Sequence, residues 1–281
     1  VYDVERHQLL TSPLLSAEAH WETFPCFSPD GKELYFCSAD SVTMPGQSRE
    51  VRYNLLRLSF NPERGTFGTQ VDTLFHAQAE GKSARFPRIS PDGKQLLVTG
   101  TGEAFDNIGL HILPGQQSNH YDYQLFLYDL ATQKAQALTK DFNPCVMSAV
   151  WSRADGKIYV QTEDEDYQRL YVCDPKSGKM RAIKTTEEVV QSFPVAEKSP
   201  MLCYYGQSIS NAKRLYAYDL KADKERLLDD LSAEKLKEVT LGEAHDWNFT
   251  SADGSRIQGR YYLPPHFDAT KKYPMIVYYY G

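Results

Sequence analysis

The chain has 281 residues, 41% of them hydrophobic, 12% aromatic and 24% charged, with a formal net charge of −6. That is enough apolar material for one large domain or two modest ones, and the 19 Tyr and 13 Phe are too many for a disordered segment. No apolar run reaches the roughly 18 residues that a membrane-spanning helix needs, and a negative balance without basic blocks argues against nucleic acid as a partner. Five scattered cysteines (Cys26, Cys37, Cys145, Cys173 and Cys203) form no Cys-x-x-Cys pair. They read as free thiols on strands, neither a zinc site nor a disulfide framework.

A repeated unit governs most of the chain. Its first copy is Phe24-Pro25-Cys26-Phe27-Ser28-Pro29-Asp30-Gly31-Lys32, followed by the apolar run Leu34-Tyr35-Phe36. It returns as Phe86-Pro87-Arg88-Ile89-Ser90-Pro91-Asp92-Gly93-Lys94 before Leu96-Leu97-Val98. A looser copy is Val150-Trp151-Ser152-Arg153-Ala154-Asp155-Gly156-Lys157 before Ile158-Tyr159-Val160. Ser28, Ser90 and Ser152 are evenly spaced. A second unit alternates with the first: Leu125-Phe126-Leu127-Tyr128-Asp129-Leu130, Leu170-Tyr171-Val172-Cys173-Asp174-Pro175 and Leu215-Tyr216-Ala217-Tyr218-Asp219-Leu220 align without gaps.

In the first unit, Pro presets φ, Asp bonds to its own following backbone and Gly takes a positive φ, so each copy predicts a hairpin between two short apolar strands. Two hairpins per repeat make a four-stranded antiparallel blade. Strands that are apolar on successive residues must be covered on both faces, which radial stacking of blades provides. The expected fold is therefore all-β, a β-propeller with four blades at about 24–75, 86–138, 149–184 and 192–229. Val1-Tyr2-Asp3-Val4 matches the second hairpin of a further blade upstream. Residues 38–54 and 100–122 are predicted as long loops between the second and third strands of the first two blades.

The pattern changes after Asp230. Ser232–Glu238 predicts a short helix with a serine cap, and Trp247–Thr250 with Ile257–Tyr262 predicts a hairpin around Asp253-Gly254. Pro264-Pro265 ends it, and Met275–Tyr280 predicts an apolar strand. The reading divides the chain into a propeller at 1–230 and a linker with the first strands of a second domain at 231–281. Both termini read as cut, the first within a blade and the last directly after a strand.

The segment Phe249-Thr250-Ser251-Ala252-Asp253-Gly254, with Gly259, Leu263-Pro264-Pro265 and Lys272–Gly281, resembles the propeller-to-catalytic junction of the prolyl oligopeptidase family of serine peptidases. From about residue 86 the blades resemble its dipeptidyl-peptidase-IV-like bacterial branch, and the first blade also resembles TolB-like propeller proteins. The resemblance implies that the segment after residue 230 opens an α/β-hydrolase domain. It also implies that Tyr280, in a Tyr-Gly pair after the strand, donates its hydroxyl to the oxyanion of a tetrahedral intermediate. Such a donor is worth about 2.7–4 kcal/mol. No Gly-x-Ser-x-Gly elbow occurs in the 281 residues, so the chain by itself is expected to be inactive.

Members of that branch hold the substrate amine with a Glu-Glu pair on a propeller insertion. Glu187-Glu188 lies between blades, in a context that does not match, and is not assigned that role. Glu163-Asp164-Glu165-Asp166 reads as a solvated turn, not a calcium loop. Dispersed histidines give zinc no support, and no cofactor is expected. The implied partner is a peptide substrate, with self-association through the propeller or the catalytic domain. The compartment stays open between cytoplasmic and exported. The alternative function is a TolB-like, non-catalytic propeller that binds a protein or glycan.

Overall fold

A computed structural model of the chain describes residues 1–12, 21–42, 50–77, 82–112 and 121–279. After a small hairpin, β1 (Tyr2–Asp3) with β2 (Gln8–Leu9), come four antiparallel units of four strands each. The first is β3 (Trp21–Phe27), β4 (Glu33–Val42), β5 (Glu50–Asn61) and β6 (Thr66–Phe75). The second is β7 (Ala84–Ile89), β8 (Gln95–Thr101), β9 (Tyr123–Asp129) and β10 (Lys134–Ala137). The third is β11 (Cys145–Trp151), β12 (Ile158–Asp164), β13 (Tyr167–Cys173) and β14 (Met180–Ile183). The fourth is β15 (Val189–Ser192), β16 (Met201–Ser208), β17 (Asn211–Asp219) and β18 (Lys224–Asp230). These are the four blades the repeats predict. The third and fourth touch through one parallel pair, Gln168 with Val189.

Hydrogen bonds within the turns explain why the repeat recurs. Ser28 Oγ donates to Asp30 at 2.6 Å, Ser90 Oγ does the same to Asp92 at 2.6 Å, and each serine hydroxyl accepts the backbone N–H that starts the next strand. Gly31, Gly93 and Gly156 take φ near +70° (+71°, +74° and +71°), a region closed to most L-residues. The second hairpin of each blade uses an Asx turn instead. Asp129, Asp174 and Asp219 each accept two backbone N–H bonds from the residues two and three positions on. This is why an aspartate closes every copy of the second unit.

The apolar runs split residue by residue between two interfaces. On β8, Leu96 and Val98 join Tyr35, Cys37 and Leu55 of the first blade, whereas Leu97 faces Val146 and Ile158 of the third. On β9, Phe126 and Tyr128 face the first blade while Leu125 and Leu127 face the third. A third core joins Tyr159, Leu170 and Val172 to Leu202, Tyr204 and Tyr216 of the fourth blade. Each fully buried Leu or Val contributes roughly 1.5–3 kcal/mol, so the stack is held by its blade-to-blade contacts. The five thiols are free and lie on strands, with Cys37 and Cys173 buried.

Several local expectations change. The loop expected at 38–54 shortens, because β4 and β5 extend their ladder to the Val42–Glu50 pair. The segment expected as loop at 100–122 contains a four-residue turn of helix, α1 (Ala104–Asn107), in which Phe105 and Asp106 have φ of 51° and 63°. The helix expected at 232–238 is a single turn, α2 (Ala233–Leu236). Ser232 makes no side-chain cap there, although its carbonyl accepts the first helical bond from Leu236 N. The hairpin beyond it is longer than predicted, β19 (Glu243–Thr250) with β20 (Arg256–Leu263). Its Ser251–Ser255 turn repeats the Ser-x-Asp-Gly bonding of the blades, with Gly254 at φ +88°. Residues 275–279 are not a strand: they are exposed and pair with no described neighbour. An extended segment becomes a strand only through ladder bonds to another, which apolar composition alone does not supply. No described helix is long and apolar enough to cross a membrane.

Candidate functional site

Antiparallel register places the start of each blade's first strand beside the end of its second. In the third blade Cys145 pairs with Glu163, and in the second Ala84 pairs with Gly100. This end of blades two to four faces the β19–β20 hairpin. Ser210 Oγ of the fourth blade donates to Gly242 O at 2.8 Å, and Arg256 Nη1 of β20 lies 3.2 Å from Glu165 of the third.

Arg260 of β20 is the centre of this junction. Its side chain is 13% exposed and contacts three carboxylates: Asp166 through Nε, Glu188 at 2.8 Å and Asp246 at 3.6 Å. Tyr167 donates its hydroxyl to Asp246, and its ring lies under the guanidinium at 4.6 Å. Burial works against the charge of Arg260, but Glu188 and Asp166 outweigh it and hold its pKa above the usual value. The acidic turn at 163–166 thus serves arginines: Asp164 pairs with Arg169, Glu165 with Arg256 and Asp166 with Arg260.

Beside the junction lies an open cleft of about 490 Å³, lined in part by Asp122, Asn143, Cys145, Glu163, Glu165 and Arg256. Cys145 is engaged on both sides, donating to Tyr121 O and accepting from Tyr123 N, each at 3.4 Å. Burial raises its thiol pKa, so it is built as a structural group and not as a nucleophile. Tyr123 leads from the cleft to a second cluster. The guanidinium of Arg85 sits 3.6 Å from the Tyr123 ring centroid and 5.1 Å from that of Phe86. Phe86 contacts Phe24 across the first and second blades at 4.0 Å, and Phe24 contacts Tyr53 at 5.7 Å.

The expected site residues fare differently. Tyr280 lies outside the described residues. Glu187 is fully buried and accepts from Ser208, Asn211 and Tyr216 at 2.8–2.9 Å, while Glu188 is taken by Arg260. Both carboxylates of the pair are thus engaged by side chains of the fold itself. Among the described residues no group of His, Cys, Asp or Glu is placed to hold a metal ion. Sequence reasoning missed Arg260 and Arg85. A signal for Arg85 existed: aligning the repeats on Ser28, Ser90 and Ser152 puts Thr23, Arg85 and Met147 at one position, where the charged residue stands out.

Four stacked blades, the first three buried on both faces and the fourth on the face toward the third, end in a hairpin docked on one end and define a β-propeller portion. No family model matches the chain. It is 26% identical over 263 residues to a dipeptidyl-peptidase 5 of Porphyromonas gingivalis, a match covering 90% of this chain and 34% of that protein. The chain thus spans about a third of that relative's length. The structure of a puromycin hydrolase shares the fold at a TM-score of 0.58 and 20% identity, over 89% of this chain and 35% of that one. A prolyl endopeptidase structure does so at 0.53 and 13%, over 95% and 43%. TolB of Acinetobacter baumannii follows at 0.50 and 12%, over 87% and 52%. Together these show that the chain is similar to part of a dipeptidyl-peptidase and shares its fold with parts of peptidase and TolB structures.

Proposed function

We propose that this chain is the propeller region of a serine peptidase that hydrolyses short peptides. Residues 1–230 gate and bind the peptide, and residues 231–281 lead into an α/β-hydrolase domain. The observation that carries the reading is the 26% identity to a dipeptidyl-peptidase along 90% of the chain. The docking of β19–β20 beside the cleft supports it, since that hairpin would bring a following catalytic domain over the same end. Tyr280 is the proposed oxyanion donor, and its partner groups would lie in that domain. Association of two copies through either domain belongs to the same reading and is checked by the mass in solution.

The test uses the full reading frame that contains this chain. Short fluorogenic peptides should be hydrolysed, and a fluorophosphonate should label one serine. Tyr280→Phe should lower kcat by about 10²–10³-fold with little change in KM. Absence of both hydrolysis and labelling would overturn the reading. It would favour the second one, a non-catalytic propeller that binds a protein or glycan, which the likeness to TolB supports.

A further inference from the structure

We propose that Arg85 is a receptor for a peptide carboxylate on the hairpin-facing end of the propeller; the proposal deepens the peptidase reading and rests on it for the ligand being a peptide. Arg85 forms no ion pair or hydrogen bond with any described residue, and its Nε is buried without a partner. An arginine that folding leaves half-buried and unpaired carries a desolvation cost that a structural role would ordinarily offset with a carboxylate. Here the aromatic faces of Tyr123 and Phe86 hold the guanidinium plane instead. Stacking of this kind fixes the plane and leaves the N–H edge open, the geometry that suits bidentate binding of a carboxylate.

The backbone around it is strained in the same place. Phe24 and Phe86 both have φ of 55°, a left-handed conformation costly for an aromatic residue, and both precede a proline at the bulge in their blade's first strand. The strain brings the two phenylalanine rings together across neighbouring blades, beside Arg85. The result is an apolar wall next to an unpaired cation, which fits a carboxylate carried on an apolar residue. The cluster adjoins the cleft, because Tyr123 N bonds to Cys145, which lines it. The cleft's own acids do not cancel the cation: Glu165 is paired with Arg256, and Asp122 and Glu163 are exposed, where salt screens them.

The carboxylate could be a peptide's C-terminus or an acidic side chain, and one experiment separates the two. The full-length protein is first treated with a fluorophosphonate, so that a peptidase cannot consume the probes. Isothermal titration then compares a short Ala/Phe tetrapeptide as the free acid, the same peptide as its C-terminal amide, and an amide with Glu replacing one Ala. At least one carboxylate-bearing probe should bind about tenfold or more tightly than the plain amide. Preference for the free acid assigns the C-terminus, and preference for the Glu amide assigns an acidic side chain. Arg85→Gln should abolish the difference while leaving plain amide binding and the melting temperature unchanged, and Arg85→Lys should restore part of it. Equal binding of all three probes by the wild type would overturn the inference even if Arg85→Gln failed to fold. So would an equal loss for all probes in Arg85→Gln. If the peptides are hydrolysed but show no carboxylate preference, the peptidase reading stands and this inference falls.

Discussion

Arg260 Nη1 lies 2.8 Å from Glu188 Oε2, joining the β19–β20 hairpin to the segment where the third blade passes into the fourth. The two residues are 72 positions apart in the chain. The same guanidinium reaches Asp166 in the third blade, so one side chain ties the hairpin to both blades. Its low exposure makes the contact stronger than an ordinary surface ion pair.

Replacing Arg260 with Ala should therefore destabilise the protein by about 1–3 kcal/mol, since it leaves Glu188 and Asp166 without their cation. Hydrogen exchange should rise first in residues 243–263 and leave the first two blades protected. Uniform loss of protection would show that the hairpin does not depend on this contact.

Glu187→Ala should cost more, on the order of 3–5 kcal/mol, because it strands Ser208, Asn211 and Tyr216 around a buried vacancy, although Arg214 keeps Asp230. Denaturant unfolding measures it. Glu187→Gln should retain part of the stability, because the amide oxygen still accepts. Neither variant that remains folded should change peptide affinity, and a selective loss of binding would place Glu187 in the substrate site.

Two glycines should fail for different reasons. At Gly93 a Cβ meets only the Pro29 ring, Cδ at an ordinary 3.4 Å and Cγ at 3.6 Å, so Gly93→Ala costs about 1–2 kcal/mol for its φ of +74° alone. At Gly206 the Cβ would stand 2.6 Å from Val189 O and 2.9 Å from Glu187 Cβ. Gly206→Ala should push β15 off β16 and cost about 1–3 kcal/mol of packing strain. Exchange in β15 distinguishes them: only Gly206→Ala should raise it.

Stability should fall at both ends of the pH range. Hydrogen bonds from Ser28 and Ser90 hold Asp30 and Asp92 below their usual 3.8, and backbone N–H bonds from Thr132 and Ser177 do the same for Asp129 and Asp174. Depressed carboxylates stabilise above their unfolded pKa, and the contribution is lost as pH falls through the folded value. The melting temperature should drop below about pH 4, and less steeply in Asp92→Asn. On the alkaline side burial pushes Tyr35, Tyr171, Tyr216 and Tyr218 up to about 12. That stability is complete below the usual value of 10.0 and is lost as pH rises through the folded one. Phenolate absorbance should show these four ionising late, together with unfolding. The Cys37 thiol, likewise pushed to about 12 by burial, should resist alkylation in the folded protein.

The outward face of the fourth blade is exposed at Tyr205, Leu227 and Leu228, but the hairpins, the blade count and the double-sided burial of the first three blades were legible in the sequence. Their causes are local: the bonds of Ser90 with Asp92 and Gln95, and those of Asp174 with Lys176 and Ser177, close within five residues. The reading of 275–280 as a strand failed at its described residues for the complementary reason, because a strand also needs a partner that its own residues cannot specify. The capping role expected of the Ser232 side chain also failed, and only its backbone carbonyl takes part in the turn.

By itself the sequence determined which residues turn and which strands pair in succession, because contacts a few residues apart carry that information. Only the tertiary structure decided what the charges do. Arg260 meets Asp166 across 94 positions, and Glu187 is buried under Tyr216 across 29. Arg85 stands unpaired between two rings from different strands. Whether a charge is neutralised, buried or left open depends on which strand ends the blade stacking brings together, and the chemistry on this end of the propeller follows from that stacking.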